Sequence, residues 1–412
     1  MVVIITSGFP FKGEPFLLSE KEYMPQNSVF FALSPSQKAL NETKYTAFKI
    51  PKRKINLCSL AYAFLGLFSP VCYSELKSLI KNKNFNFRNL MRMYAVYGYG
   101  MYCYKFIIKE LTHILKKDDN VIFYSYWMST HAFICANLKR KYKKSKFVTR
   151  CHGYDLYEYR SKTGYLAFRK FIFNEADKIF PISKNGEEYI HDTYTMYKDL
   201  LKNKVETMYL GTMDYGYDIE PSKVNFQIVS CSNLVELKRV NLIIEALSRM
   251  QGNIQWTHFG DGKCAESLKR MANEMLGNNI DYTFRGAISN ESLMKEYQSM
   301  DINLFLNVSE YEGVPVSIME AMSFGIPVIA TNVGGTSEIV QDQYNGKLLN
   351  KDFSIEELCE SISYFININD STMRNYRKNA RNTWESFFSA EKNYCKFYRE
   401  YANNVWFPSK NI

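Results

Sequence analysis

Short apolar runs alternate with helix-length segments along this chain, and midway the alternation stops and begins again. Val2–Thr6, Val29–Leu33, Val121–Tyr126, Phe147–Thr149, Ile179–Ile182 and Val205–Leu210 are β-branched or aromatic runs of strand length. Helical stretches such as Thr130–Lys144 and Tyr165–Ala176 separate several of them. This alternation predicts βαβ units and a parallel sheet, because a parallel neighbour needs a crossover long enough to hold a helix. After Gly211–Ser222, a stretch with two glycines and Pro221, a second set follows: Phe226–Cys231, Ile254–Phe259, Tyr282–Phe284, Ile302–Leu306 and Val328–Ala330. At 412 residues the chain exceeds one typical core. The expected fold class is α/β, with two Rossmann-like domains, 1–213 and 219–388, facing a central cleft. In the closing segment, 389–412, Tyr394, Phe397 and Tyr401 recur at helical spacing.

Between the last two of these strands lies Glu312-Gly313-Val314-Pro315-Val316-Ser317-Ile318-Met319-Glu320-Ala321-Met322. Pro315 suits the first helical turn, since its fixed φ fits and its missing N–H would be unpaired there. The N–H groups of Val316, Ser317 and Ile318 would then point outward, a ready site for phosphate. A phosphate-binding helix start with an acid on each side suggests a nucleotide-linked sugar. Glutamates at this spacing arise by chance on helices. The longer string, continuing through Gly334-Gly335 and Glu338-Ile339-Val340, is far more specific. It resembles the E-x7-E signature of the retaining nucleotide-sugar glycosyltransferases of group 1, also called family 4, which have the GT-B fold.

The resemblance implies roles residue by residue. Glu320 would accept the ribose hydroxyls, and its apolar neighbours make an idle charge there costly. Glu312 would bind hexose hydroxyls and steady positive charge at the anomeric carbon. Gly313, Val314, Pro315 and Val316 would line the donor. In Ser230–Arg239 the family usually places an arginine and a lysine on the diphosphate. Lys238 matches the lysine, while Asn233 stands where the arginine is common and brings no charge; Arg239 is a substitute whose adjacent position points elsewhere. Gly8 and Gly13 resemble the loop that closes over donor phosphates. His152, in Arg150-Cys151-His152-Gly153-Tyr154-Asp155, matches the family histidine near the donor hexose. Asp155 reads either as an acceptor ligand or as a helix cap. The resemblance also implies that the terminal helix returns to the first domain. No D-x-D metal motif occurs, so no metal or other cofactor is expected.

Charge divides unevenly. Residues 1–213 hold 33 Lys/Arg against 17 Asp/Glu, and residues 214–412 hold 19 against 25. No nucleic-acid reading module accompanies the basic half, so the expected partner is an anionic inner-membrane leaflet carrying a lipid-linked acceptor, the alternative being a solubilising surface in a Lys-rich proteome. Nine scattered cysteines without a C-x-x-C pair, and an N-terminus without a basic leader, predict a cytoplasmic protein, peripheral at that leaflet. Ile55–Ser74 is free of charge, but Asn56, Ser59, Gly66 and Pro70 interrupt it. It reads as a helix packed in the first domain or lying at the lipid interface rather than as a span. The expected activity is hexose transfer from a nucleoside diphosphate sugar, UDP favoured over GDP, to a lipid-linked glycan in bacterial surface polysaccharide synthesis. An epimerase or phosphorylase of the same architecture is the enzymatic alternative, and a non-catalytic two-domain sugar-binding protein is the alternative of another class.

Overall fold

The structure, a computed structural model, describes residues 1–8, 15–32, 44–50, 57–115, 120–216 and 226–404. It divides into two compact units: Met1–Met208 with the chain from Cys395 onward, and Tyr209–Tyr394.

The first unit contains β1 (Val2–Thr6), β2 (Val29–Ala32), β3 (Thr46–Lys49), β4 (Ile122–Ser125), β5 (Lys146–Cys151) and β6 (Lys178–Pro181). They form one parallel sheet in the order β3-β2-β1-β4-β5-β6. Every residue of β1, β2 and β4 is buried, as a sheet covered by helices on both faces requires. Strand order reverses between β1 and β4, the place where open α/β sheets bind ligands.

Several expectations need correction here. Val205–Leu210 is not a strand; Val205 makes only an isolated bridge to Ile179. The edge strand β3, half-exposed and ending in Lys49, lacks the apolar run that would announce it. The stretch Tyr165–Ala176 is helical only over Arg169–Glu175, because Phe168 takes a left-handed φ of 64°. Leu33 lies outside the described residues, as do 55–56 and 222. The helix Leu57–Leu65 packs in the first unit through Ser59 and Ala63 against Gly98, yet none of its residues is buried. Among the described residues no single helix is long and apolar enough to cross a membrane, although Leu57–Phe68 and Pro70–Lys81 form an apolar pair bent by 72°.

The terminal segment joins the first unit from Cys395 rather than from residue 389. Phe397 lies 5.3 Å from the Tyr124 ring and 5.4 Å from Phe180. Tyr398 donates to Glu20 at 2.9 Å and Tyr401 to Glu206 at 2.7 Å. Residues 209–213 and 389–394 belong instead to the second unit. There Thr212 bridges Ser389, and the Gly211 N–H donates to the Tyr394 hydroxyl at 3.0 Å. These backbone pairings, invisible in composition, set the boundary.

The second unit repeats the plan with β7 (Phe226–Cys231), β8 (Ile254–Phe259), β9 (Ile280–Gly286), β10 (Ile302–Asn307), β11 (Val328–Thr331) and β12 (Gly346–Leu349). The order is β12-β11-β10-β7-β8-β9, again parallel, with the reversal between β7 and β10. Ile228, Trp256, Leu304, Leu306 and Ile329 pack with Leu358 and Ile362 of the helix Ile355–Asn367 into its core. The β12 strand was not anticipated, since Gly346-Lys347-Leu348-Leu349 is too short to show a period.

Candidate active site

Lys238 and Glu312 arrive from the two strands that flank the reversal in the second sheet. The loop after β7 tightens into a short 3-10 turn, Glu236–Lys238, and Arg239 follows at a φ of 48°. That left-handed backbone costs a non-glycine residue about 1–2 kcal/mol. It is held by the Arg239 guanidinium, which donates to the carbonyls of Val308 at 2.8 Å and Lys351 at 2.9 Å and to the Thr331 hydroxyl at 3.2 Å. Arg239 is therefore a strut between loops and not a phosphate ligand. Lys238, on the other side of the turn, places Nζ 2.5 Å from Oε1 of Glu312. Asn307 at the end of β10 donates to the same oxygen at 3.4 Å. Asn233 is exposed.

The loop after β10 is fixed from behind. Gly334 has a φ of 55°, and a Cβ there would come within 2.0 Å of the Glu312 carbonyl oxygen. Gly335 donates its N–H to the Gly313 carbonyl at 2.7 Å. The two glycines thus let one backbone lie directly against another and hold Glu312 in place. Val314 is buried behind the loop. Pro315 occupies the cap just before the helix Val316–Ser323, one position earlier than expected. Its carbonyl accepts the N–H groups of Ile318 at 3.1 Å and Met319 at 3.3 Å. Ile318 is thus not among the outward N–H donors, which are those of Val316 and Ser317.

Glu320 is 4% exposed on that helix. Asn290 donates to its Oε1 at 2.7 Å. Burial nevertheless dominates and pushes its carboxyl up to about 7. A carboxylate so placed gains from any donor that reaches it.

A buried relay under the β7 loop escaped the sequence reading. Trp256 Nε1 donates to Ser230 Oγ at 3.0 Å, Ser230 Oγ lies 2.8 Å from His258 Nδ1, and His258 Nε2 lies 3.1 Å from the Ser232 carbonyl. These contacts fit a neutral imidazole protonated on Nε2, and burial lowers its pKa to about 4. Gly260 and Gly262 press against the same loop; a Cβ on Gly260 would meet the Ser232 oxygen at 1.9 Å. The G-x-G immediately after β8 was the available clue.

The first unit, taken by itself, gathers rings around His152. Phe16, Tyr126 and Trp127 lie 5.7, 5.3 and 4.2 Å from its imidazole. Burial lowers the pKa of His152, opposed by the Asp155 carboxylate, whose Oδ2 lies 3.9 Å from Nδ1. Asp155 is 1% exposed. Its two oxygens accept the N–H groups of His152 at 2.8 Å and Met128 at 2.7 Å. It ties the loops after β4 and β5 together, which accounts for the carboxylate without an acceptor or a helix cap. Gly8 follows β1 at the reversal of the first sheet; Gly13 lies outside the described residues.

Residues 219–383 match the family of glycosyl transferases group 1, a span that contains Lys238, Glu312 and Glu320. Those residues belong to the group 1 glycosyltransferases. This glycosyltransferase is 29% identical over 285 residues to an uncharacterized glycosyltransferase of Methanocaldococcus jannaschii, covering 65% of the chain and 69% of the relative. It is 24% identical over 273 residues to the N-acetyl-alpha-D-glucosaminyl L-malate synthase of Bacillus anthracis, covering 63% and 68%. Among solved structures, HepE of Anabaena with UDP and glucose superposes with a TM-score of 0.68, covering 98% of this chain and 99% of that one at 17% identity. At that identity the likeness shows the fold, which is GT-B.

Proposed function

We propose that this glycosyltransferase moves a hexose from a nucleoside diphosphate sugar to a hydroxyl of a glycan acceptor, with retained anomeric configuration. The observation that carries the reading is the Lys238–Glu312 pair at the strand reversal, beside a helix that starts with open N–H groups and buries Glu320. In this reading Lys238 and the N–H groups of Val316 and Ser317 hold the diphosphate, which leaves bearing negative charge. The ionised Glu320 accepts from the ribose hydroxyls. Glu312 faces the hexose and stabilises the positive charge that grows at its anomeric carbon.

In the transfer step the bond from the anomeric carbon to the diphosphate oxygen breaks, and a bond to the acceptor oxygen forms on the same face. The acceptor proton passes to the departing diphosphate. Lys238 and the helix N–H groups supply the charge stabilisation this step needs, so we assign no metal to it. His152 is assigned to the donor hexose. UDP is favoured as the carrier, since HepE is solved with UDP. The basic first unit is assigned the acceptor, a lipid-linked glycan of a bacterial surface polysaccharide. Titrating the protein with UDP, GDP and their hexose conjugates by calorimetry tests the reading. Micromolar binding of one nucleotide family, with transfer from its sugar conjugate, is expected; absence of binding to every nucleotide would overturn it.

A further inference from the structure

We propose that the face formed by Leu57–Lys81 and the start of the helix Phe87–Ile114 docks this protein on an anionic lipid bilayer. The helix Leu57–Leu65 packs inside out by the standards of a water-soluble protein. Its small residues face the protein: a Cβ on Gly98 would come within 2.4 Å of the Ser59 carbonyl and 2.9 Å of the Ala63 Cβ. Its large residues face outward. Leu57 is 86% exposed, Phe64 62% and, one turn on, Phe68 77%. Leu57, Leu60, Phe64 and Phe68 follow helical spacing, so they form one stripe rather than scattered exposure. Small residues inside and large apolar residues outside is the arrangement that suits hydrocarbon surroundings. Contact with Gly98 at backbone distance prevents the helix from turning this stripe inward.

The patch continues onto neighbouring elements. Tyr73 and Ile80 on Pro70–Lys81 and Phe87 and Met91 on Phe87–Ile114 are all more than half exposed. The inner side of Pro70–Lys81 is already occupied, with Cys72 and Leu79 in the core and Glu75 accepting from the Tyr165 hydroxyl and the Phe168 N–H, both at 2.7 Å.

Charge selects the partner. From Leu57 to Arg92 the chain holds five Lys/Arg and one acid, the buried Glu75. Lys77, Lys81, Lys83 and Arg88 are exposed around the apolar stripe, and Lys77 Nζ lies 4.4 Å over the exposed Tyr73 ring. Apolar side chains rimmed by cations match acyl chains beneath anionic headgroups. Long lysine stems let the ammonium groups stay at the headgroup level.

Co-sedimentation of the full chain with phosphatidylglycerol/phosphatidylcholine vesicles, and with phosphatidylcholine alone, tests this without any nucleotide, so its outcome is separate from that of the transfer reading. The wild-type chain should pellet with the anionic vesicles and lose most of that binding in high salt. Phe64→Glu with Phe68→Glu should weaken vesicle binding by at least about tenfold. Lys77→Glu with Lys81→Glu should abolish the preference for anionic lipid, and both double variants should melt as the wild type does. Failure of the wild-type chain to pellet with either vesicle would overturn the proposal, whatever the variants do. So would unchanged binding by the folded variants. A wild-type dimer in light scattering that Phe64→Glu with Phe68→Glu splits, with no vesicle binding, would assign the face to a second copy instead.

Discussion

Lys238 and Glu312 meet at 2.5 Å although 74 residues separate them, because β7 and β10 are neighbours in the sheet and both loops turn the same way. The contact is partly buried, with side chains 21% and 11% exposed. Glu310 adds a second tie between the loops by donating its N–H to the Leu237 carbonyl at 2.9 Å.

Glu312→Gln keeps the size of the side chain and its reach to Asn307 but removes its charge. Transfer should fall by about 10²–10³-fold, the scale of losing one electrostatic contact in a transition state. Lys238→Ala should weaken both transfer and diphosphate binding. Steady-state kinetics with calorimetry separates the two; equal turnover in Glu312→Gln would remove it from the chemistry.

For Glu320 the sign runs from acid to neutral pH. Its folded carboxyl, near 7, lies above the usual value of 4.5. The stability it contributes is therefore fully present below 4.5 and is lost as pH rises through about 7. Ribose hydroxyls donating to its ionised form would reverse that preference. Nucleotide affinity should rise by up to about tenfold between pH 6 and 8 and then level, and Glu320→Gln should bind weakly with no such rise. Calorimetry across that range checks it.

His258 acts in the opposite direction. Its imidazole is held near 4, below the usual 6.5, so its contribution is present above 6.5 and disappears as pH falls toward 4. The loss is on the order of 3 kcal/mol. His258→Gln should flatten the acid limb of the melting-temperature profile while leaving the limb due to Glu320.

Gly334→Ala adds a single methyl where the φ is 55° and the Glu312 carbonyl stands 2.0 Å from the new Cβ. The backbone must shift, at a cost of at least about 1–3 kcal/mol. Thermal unfolding should show the loss, and transfer should fall because Glu312 moves with its loop. A variant with wild-type stability and turnover would show that the two glycines do not position Glu312.

Glu312 and Glu320 were readable because their spacing lies within one strand–loop–helix unit, where Pro315 and the apolar positions on the helix state the local conformation. Lys238 was readable only through resemblance, and its pairing with Glu312 was not readable at all. The role of Arg239 became clear only from the four groups its guanidinium reaches, on Val308, Ser309, Thr331 and Lys351. Asp155 looked like a ligand or a cap; burial between two loops made it a tie. His258 looked like any strand residue until Ser230, Trp256 and Ser232 closed around it.

The chain by itself determined that there are two βαβ repeats, where most of their strands lie, and that an acid-flanked helix start sits late in the second. Those facts follow from period, proline placement and spacing, which act over a few residues. Tertiary structure alone decided which carboxylate is paired, which is buried, and which apolar helix faces outward. Leu57–Leu65 shows why: a charge-free run has the same composition in a core or against lipid, and only the close approach of Ser59 and Ala63 to Gly98 determines which side is left exposed.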